Sequence, residues 1–551
     1  MKYAKIEKTA LRHLLKYNYL GIVGALVFFC FSLLPSLMPR TWLLQAIVSG
    51  LSLTFGYGLG VLVSTLVRKS SKKAPPVSIR NAAWIVLVYS APIIIITFLY
   101  LGSVWQEEVR QLLDVTETVP FRGLRVFAVA VLMAVIIVWI SKWIGRFSGW
   151  LIGKLDDRLP FRVSVVLGVG ITVFLLAWII SGVFFNFFET QAYRIYRSEN
   201  DTTHENISQP DTPNRSGTPE SLVPWDTLGR QGQRFIATGP SQADVAEFYG
   251  SNSQDPIRIY VGVDSAPSAQ ERADLAMSEM RRTNAFERSK LVVATPTGTG
   301  WLEPKAVDAV EYMHGGDTAI VAQQYSYLPS WASFLVDKDV ARETGRILFD
   351  AVYAEWSELP EDARPELYTY GLSLGSYGSQ AAFSSPSDML NSIDGAVYQG
   401  TINDTDVWRD ITDKRDVGSP EWQPRYQDGE SIRFASTPRD ALRDVDSWQR
   451  PRVLYMQHAS DPIVWFSFDL IFRQPDWLIE PRGPDVSSLM RWYPVVTFIQ
   501  VAIDQAAAHS VTDGRGHVYG DTVVESWQAV TQPDDWTPAK TDRLYGALHS
   551  R

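Results

Sequence analysis

Hydrophobic residues along this chain form long unbroken runs in the first third and short, interrupted runs afterwards. Because a bilayer core about 30 Å thick takes about 20 apolar residues of helix, the unbroken runs predict membrane spans. Five runs qualify, at residues 20–37, 43–67, 84–104, 126–144 and 163–187. A signal peptide is the alternative for the first run, but it lacks a small-residue cleavage site and four more runs follow. We therefore predict a five-helix transmembrane domain over residues 1–188.

Basic residues in the segments that flank the five runs alternate in number. From the N-terminal segment through the four connections, Lys and Arg number five, one, five, three and five, with Lys142 at the edge of the fourth run counted in the last connection. Since flanking segments rich in Lys and Arg stay in the cytoplasm, this alternation predicts a cytoplasmic N-terminus. With five spans, the chain after Phe188 is then expected on the extracytoplasmic side of an inner or plasma membrane.

Within the runs, three features bear on packing, transport and redox chemistry. Gly56 and Gly60 stand four residues apart, a spacing that lets helices approach closely, and it favours packing inside the bundle over a dimer face. Lys142 is the only charged residue in any run, which argues against a proton or ion path. The single cysteine, Cys30, lies in the first run, so the chain after the spans cannot form disulfides.

The segment after the last run is polar. From residue 198 to 222 it is rich in Pro, Ser, Thr, Asn and Asp and has no periodicity. Such a segment buries too little apolar surface to offset the entropy of ordering it. Residues 189–223 are therefore predicted to be a flexible linker.

Residues 224–551 alternate short β-rich runs with helical stretches. Strands are predicted at 257–263, 290–294, 319–323, 367–370, 395–398 and 452–457, and helices at 269–282 and 339–355. Alternation of this kind favours βαβ units. The expected fold class is an α-helical membrane bundle followed by an α/β domain, whose mostly parallel sheet is covered by helices on both faces.

The charge balance differs between the two parts of the chain. Residues 1–188 hold 19 basic and 7 acidic residues, whereas the remainder holds 32 and 53, so the formal net charges are +12 and −21. Nucleic-acid binding needs clustered Lys and Arg, so an acidic domain argues against that class of partner. The seven histidines show no HxxxH or HxH spacing, and neither a metal nor another cofactor is expected.

The most informative motif is Gly371-Leu-Ser-Leu-Gly375, which follows a predicted strand and leads into a helical stretch. Strand, G-x-S-x-G and helix form the nucleophile elbow, whose tight turn lifts the serine hydroxyl above the sheet edge. Side chains at the two glycines would collide with the neighbouring strand and helix. Ser373 is thus the candidate nucleophile, and the N–H of Leu374 can face an oxyanion.

A nucleophilic serine needs a base and an acid, which in this arrangement follow it in the order acid, histidine. Asp461 stands just past a β-rich run, where parallel sheets place functional groups, and His517 lies on a glycine-flanked loop. The alternatives are His509 as the base and Asp404, Asp406 or Asp513 as the acid. His458, within a β-rich run, is interpreted as a packed core residue.

The turn TPTGTG at residues 295–300 is the candidate for the second half of an oxyanion hole. Gly298 and Gly300 allow backbone amides to approach a ligand closely, so amides around Gly298 and Thr299 are expected to join that of Leu374. A phosphate cradle is the alternative, but the Walker spacing G-x-x-x-x-G-K-[ST] is missing here. The whole constellation predicts acyl transfer by a serine–histidine–aspartate triad.

Two long insertions, near 401–451 and 463–501, are rich in aromatic residues. Such residues more often form core than ligand sites, and a lid over an apolar cleft is the alternative interpretation. An apolar cleft tethered to a bilayer suits acyl chains. A lipid or another amphipathic ester is therefore the predicted substrate class, with the lipid bilayer as the partner.

The motifs TPTGTGW, QQYSYLPSW, YGLSLGS, QHASDPIVW and GRGHVYG, after a multi-span N-terminal part, resemble a family of bacterial membrane-anchored proteins with an α/β-hydrolase domain. The resemblance covers nearly the whole chain and implies an α/β-hydrolase fold with Ser373, Asp461 and His517 at the triad positions. It implies no particular substrate. Leu372 departs from the pattern, since an acidic residue is expected there, and a clear strand before His517 is hard to find.

The predicted activity is that of a membrane-anchored serine hydrolase of the esterase or lipase type. The alternative is a non-catalytic membrane receptor or assembly protein that retains the hydrolase fold.

Overall fold

A computed structural model of the chain describes residues 18–70, 76–116, 122–179, 182, 186–204, 206–250, 252–336 and 338–550. The five basic residues of the N-terminal segment and part of the fifth predicted span lie outside these ranges. Two compact units can be distinguished. The helical unit comprises Met1–Asn186 and Phe466–Val511, and the sheet unit comprises Phe187–Trp465 and Thr512–Arg551.

The α-helices of the described residues are, in chain order, α1 (Tyr19–Ser32), α2 (Trp42–Ser70), α3 (Val77–Leu112), α4 (Gly123–Asp156), α5 (Phe161–Trp178), α6 (Asn186–Asn200), α7 (Gly229–Ala237), α8 (Gln242–Tyr249), α9 (Ala269–Arg282), α10 (Pro304–Met313), α11 (Ser330–Val336), α12 (Lys338–Glu358), α13 (Leu374–Gln380), α14 (Pro386–Ser392), α15 (Asp406–Asp413), α16 (Pro438–Ala441), α17 (Pro462–Trp465), α18 (Val496–Asp504), α19 (Val523–Thr531) and α20 (Pro538–His549). The strands are β1 (Ile257–Val261), β2 (Lys290–Thr295), β3 (Thr318–Gln323), β4 (Glu366–Leu372), β5 (Gly395–Gln399), β6 (Ile432–Ala435) and β7 (Arg452–Met456).

Four helices among the described residues, α2 to α5, are long and apolar enough to cross a membrane. The prediction of five spans is wrong for the first run, because α1 has only 14 described residues. At 1.5 Å per residue such a helix extends about 21 Å, short of a bilayer core. The apolar run continues past Ser32 as LLPSLMP, and its prolines cannot continue a helix.

Glycines allow α1 and α2 to pack closely against each other. A Cβ added at Gly56 would lie 2.3 Å from the carbonyl oxygen of Gly24, and one at Gly60 would lie 2.0 Å from that of Leu20. The two backbones therefore touch, which only glycine allows. Packing inside the bundle, the favoured explanation of the Gly56–Gly60 spacing, is confirmed.

Residues 466–511 belong to the helical unit although they lie far along the sequence. The insertion predicted near 463–501 as part of the α/β domain is thus wrongly placed. Asp504 forms a fully buried ion pair with Arg40 at 2.6 Å, and the ring of Tyr493 stacks on Phe31 with centroids 4.3 Å apart. These contacts join residues more than 450 positions apart, so no local pattern reveals them.

The sheet unit contains a seven-stranded sheet in the order β1-β3-β2-β4-β5-β7-β6, and every pair of neighbours is parallel. Helices cover it in two groups, with α9 packed on α12 and α10 packed on α19. The α/β prediction is confirmed. The insertion predicted near 401–451 supplies a strand that the sequence did not reveal, since β6 pairs with β7 at the edge of the sheet.

The prediction of a flexible linker over 189–223 is wrong, because most of this segment has a defined structure within the sheet unit. Helix α6 takes up its first part. Arg215 is 4% exposed and donates hydrogen bonds to the carbonyls of Ile236 at 2.7 Å and Pro240 at 2.6 Å. Composition indicates too few apolar side chains for a core, but it does not reveal that a buried arginine can anchor the chain.

Candidate active site

Ser373 stands between β4 and α13 in a strained backbone conformation, with φ 56° and ψ −121°. Positive φ is costly for a residue with a side chain and recurs at functional sites. A Cβ at Gly371 would lie 2.5 Å from the backbone of Gly375, and one at Gly375 would lie 2.2 Å from the carbonyl oxygen of Thr295. Both glycines are thus required by close contacts with neighbouring elements, as the motif predicts.

Asp461 lies five residues beyond the end of β7 and is fully buried. Its Oδ1 accepts a hydrogen bond from the amide of Ile463 at 2.8 Å. Its Oδ2 lies 2.6 Å from Nδ1 of His517. Because a carboxylate only accepts, Nδ1 carries the proton and Nε2 of His517 is left as a base.

Residues 458–461 hold the loop that carries His517. The amide of Gly516 donates to Oγ of Ser460 at 3.0 Å, and Nδ1 of His458 lies 2.8 Å from the carbonyl oxygen of Gly516. His458 is 1% exposed, and its ring stacks on Tyr519 with centroids 4.3 Å apart. It is a packed residue, as interpreted from the sequence, and it supports the loop.

Tyr519 is a site residue that the sequence analysis missed. Its hydroxyl donates to Oδ2 of Asp461 at 2.8 Å and accepts from the amide of His458 at 3.2 Å. Its ring packs edge-on against His517. The signal was present in the motif GRGHVYG, where a tyrosine follows the histidine by two positions.

The serine and the histidine both lie against the end of β5. The amide of Ser373 donates to the carbonyl of Gln399 at 2.8 Å. At the next position, a Cβ on Gly400 would lie 2.6 Å from Cε1 of His517. The order β4-β5-β7 thus gathers Ser373, His517 and Asp461 at the carboxyl ends of three adjacent strands, where parallel sheets place functional groups.

The turn after β2 lies beside the elbow, because Gly375 packs directly on Thr295. Within the turn, the amide of Thr297 donates to the carbonyl of Trp301 at 2.9 Å, and Gly300 has a φ of +92°. A Cβ at Gly298 would lie 2.4 Å from the amide nitrogen of Ser330. The chain here is compact, with its backbone close to neighbouring segments.

Two further residues that the sequence analysis missed anchor this turn. The hydroxyl of Tyr260 donates to the carbonyl of Gly300 at 2.8 Å, and the side-chain amide of Gln324 donates to that of Thr299 at 2.8 Å. With two carbonyls held, the turn keeps one orientation. The amide of Leu374 is in the first turn of α13, where N–H groups have no acceptor within the helix.

The alternative acids and the alternative base have other surroundings. Asp404 pairs with Lys338, Asp406 pairs with Arg342 at 2.9 Å, and Asp513 lies 3.6 Å from Lys305. His509 is an exposed residue of the helical unit. Of the candidates, Asp461 and His517 are the acid and base that the structure brings together.

An apolar cluster begins at Leu374, the residue after the serine. Leu374, Tyr377 and Ile402 form its buried centre, and Phe334 and Ile463 pack against it. Ser373 is 5% exposed and His517 is 4% exposed, so both candidate catalytic side chains are buried. Burial raises the pKa of Tyr377, so its phenol is neutral at pH 7.

Several aromatic residues of the predicted insertions serve as core, whereas Phe468 and Phe472 are exposed. Trp408 and Trp465 are each 1% exposed and pack edge-on, and the indole of Trp408 donates to Gln457 at 3.0 Å. Trp448 is buried beneath Arg433, whose guanidinium lies 4.7 Å from the ring centroid. These side chains stabilise the sheet unit.

Two family models match the chain. Residues 257–544 match a family described as the alpha/beta-hydrolase family, and residues 33–240 match the alpha/beta-hydrolase family N-terminus. No curated protein and no solved structure was found to match.

Proposed function

The chain belongs to the alpha/beta-hydrolase family, and on this premise we propose that it is a membrane-bound serine hydrolase that cleaves an ester or related acyl bond. The observation that carries the proposal is the buried pair of Asp461 and His517, 2.6 Å apart, beside the strand end that bears the strained Ser373. Serine hydrolases need this combination of an oriented base and a nucleophilic serine.

In the proposed reaction, Oγ of Ser373 forms a bond to the substrate carbonyl carbon while Nε2 of His517 takes its proton. The resulting oxyanion is held by the amides of Leu374, Gly298 and Thr299, each contributing about 3–4 kcal/mol. Collapse breaks the bond to the leaving alcohol, which receives the proton from His517. Water then attacks the acyl-enzyme by the same proton route and releases a carboxylic acid together with free Ser373.

The proposed substrate is an ester with an apolar acyl chain, a lipid or another amphiphile. The support is the apolar cluster of Leu374, Tyr377 and Ile402 beside the serine. Aliphatic and aromatic walls stabilise a chain by excluding water, whereas they offer no partner to a polar acyl group.

We also propose that the sheet unit is extracytoplasmic, at an inner or plasma membrane. The connections at 68–80 and 142–162 each carry five Lys or Arg residues, which favours the cytoplasm for both. Since α5 follows the second of these connections, the chain after it emerges on the opposite side. With four spans, the same orientation puts the start of α2 on the extracytoplasmic side. The predicted cytoplasmic N-terminus therefore requires the chain before Trp42 to cross the membrane as well.

A fluorophosphonate probe, applied to the full chain in detergent micelles, tests the activity. We expect labelling of the wild type and of Ser447→Ala, which removes an exposed serine of the sheet unit, and none of Ser373→Ala. Equal labelling of Ser373→Ala and wild type would refute the nucleophile. Absence of labelling in the wild type would favour a non-catalytic receptor or assembly protein.

Hydrolysis of p-nitrophenyl esters by the same full-length samples tests the substrate class. We expect a higher kcat/KM for the laurate ester than for the acetate ester, because each buried methylene adds about 0.8 kcal/mol. A preference for acetate would contradict an acyl-chain substrate while leaving the nucleophile assignment intact.

A further inference from the structure

A cavity of about 80 Å³ lies inside the helical unit, where α2 and α4 begin and α3 ends. Its polar lining includes Arg40, Gln106, Arg110 and Arg122, and its apolar lining includes Leu33 and Leu99. A water molecule occupies about 30 Å³ in the liquid, so the cavity has room for a group of a few heavy atoms.

Arg40 contributes a buried cation with an unused donor. Its side chain is fully buried; Nε donates to Asp504 at 2.6 Å and Nη1 donates to Gln45 at 3.2 Å. Nη2 is buried and has no hydrogen-bond acceptor among the described residues. A charged N–H group left without an acceptor away from water is costly, so this atom calls for a ligand.

Gln106 presents a second donor of the same kind. Its Oε1 accepts from the backbone amide of Arg40 at 2.8 Å, which fixes the orientation of the side-chain amide. Within the described ranges, the buried Nε2 also has no acceptor. Both of these unpaired groups are hydrogen-bond donors, so a ligand that matches them is a hydrogen-bond acceptor.

The charges of the lining favour an anion. Arg40 and Arg110 are paired with carboxylates, the latter with Glu107 at 2.9 Å, while Arg122 adds a third guanidinium. The three arginines and the two carboxylates leave a net positive charge. Guanidinium groups bind phosphate oxygens through paired, charge-assisted hydrogen bonds.

We propose that this cavity binds the phosphate group of an anionic amphiphile. The cavity lies at the helix ends that the proposed orientation puts at the extracytoplasmic surface, where lipid headgroups are found. Its volume holds the charged group and leaves the chains outside. The site is separate from Ser373 and does not depend on the hydrolase proposal.

Native mass spectrometry of the full chain in detergent tests this site with three probes: phosphatidylglycerol, phosphatidylcholine and inorganic phosphate. We expect one phosphatidylglycerol to bind more tightly than phosphatidylcholine and to be displaced by millimolar phosphate. Binding of inorganic phosphate without binding of phosphatidylglycerol would overturn the amphiphile as the source of the phosphate.

Variants locate the binding to the cavity. Arg40→Gln and Arg122→Gln are each expected to raise the Kd for phosphatidylglycerol about tenfold or more, since a hydrogen bond to a charged group is lost. Arg125→Gln is the matched control, because Arg125 is an exposed arginine one turn along from Arg122. If Arg40→Gln does not fold, the Kd of Arg122→Gln alone tests the proposal. An unchanged Kd for Arg122→Gln would overturn the proposal.

Discussion

Tyr519 shows how much of the candidate site depends on a single hydroxyl group. It donates to Oδ2 of Asp461, the same oxygen that faces His517. A second donor on that oxygen fixes the orientation of the carboxylate. We therefore propose that Tyr519 positions the candidate acid and, through it, the candidate base.

We predict that Tyr519→Phe lowers the rate of fluorophosphonate labelling about tenfold at pH 7, because one hydrogen bond of about 1–1.5 kcal/mol is lost. The ring, which stacks on His458, is kept, so the fold is expected to persist. Tyr545→Phe is the matched control, since its hydroxyl donates to Glu525 in another part of the sheet unit. Slower labelling with an unchanged thermal midpoint separates a positioning role from a structural one.

The choice of base is testable at the same scale. His517→Ala is expected to reduce the labelling rate by about 10³-fold or more, because the serine loses its proton acceptor. His509→Ala, the alternative histidine, is expected to react like the wild type. Wild-type labelling of His517→Ala would exclude it as the base.

At the scale of single elements, buried ion pairs connect a strand of the sheet unit to a helix. Arg258 on β1 lies 2.6 Å from Glu311 on α10 and also binds Asp308, and its guanidinium is 1% exposed. One guanidinium thus binds two carboxylates away from water. Removing one partner leaves the others buried and uncompensated, which is more costly than never having buried them.

Arg258→Met is therefore expected to destabilise the sheet unit by about 3–5 kcal/mol. Arg281→Met is the control, because its pair with Glu355 is exposed and worth at most about 1 kcal/mol. Urea unfolding followed by tryptophan fluorescence measures both. Equal losses for the two variants would show that burial does not determine the strength of these ion pairs.

Glu366 at the amino end of β4 and His314 at the end of α10 make the sheet unit sensitive to acid. Burial would raise the pKa of Glu366, but hydrogen bonds from Lys290, Tyr368 and Arg450 lower it to about 2. Burial lowers the pKa of His314 to about 3, assisted by the charge of Lys290. Both pKa values are below the unfolded ones, so the stabilising contributions are full at high pH and are lost as the pH falls.

The unfolding free energy is thus expected to fall from about pH 6.5 down to about pH 3 because of His314, and from about pH 4.5 to pH 2 because of Glu366. Glu366→Gln should flatten the lower part of this profile and His314→Asn the upper part. Glu361→Gln, which changes an exposed carboxylate, should leave the profile unchanged. Urea titrations at several pH values give the measurement.

At the scale of the whole molecule, one segment connects the two units covalently. Residues 466–511 belong to the helical unit, yet they begin five positions after Asp461 and end six positions before His517. The buried pair of Arg40 and Asp504 holds this segment on the membrane helices. The two ends of the segment thus lead directly to the candidate acid and base.

Asp504→Asn is expected to lower the thermal midpoint of the full chain, because Arg40 loses its charged partner in a buried setting. We also expect slower labelling of Ser373 below that midpoint, since the ends of the segment lose an anchor. Glu107→Gln, which breaks a partly exposed pair with Arg110, is the control. A lower midpoint with unchanged labelling would separate the stability of the segment from the geometry of the site.

The sequence by itself determined the features that depend on neighbouring residues. Apolar runs identified α2 to α5, the alternation of strands and helices identified the α/β class, and G-x-S-x-G identified the strained turn at Ser373. Each rests on a run length, a period or a local backbone requirement. The prolines after α1 are a local signal of the same kind, since they end the helix. The span prediction was wrong there because it followed hydropathy alone.

Only the tertiary structure decided which distant groups meet. Four aspartates and two histidines were open as acid and base, and the strand order placed Asp461 against His517. The sequence also did not reveal three other features. These are the hydrogen bond from Tyr519 to Asp461, the ordered structure of the predicted linker, and the membership of residues 466–511 in the helical unit. Hydrogen bonds and ion pairs between distant residues leave no periodic trace, because their partners are selected by the packing of the whole chain.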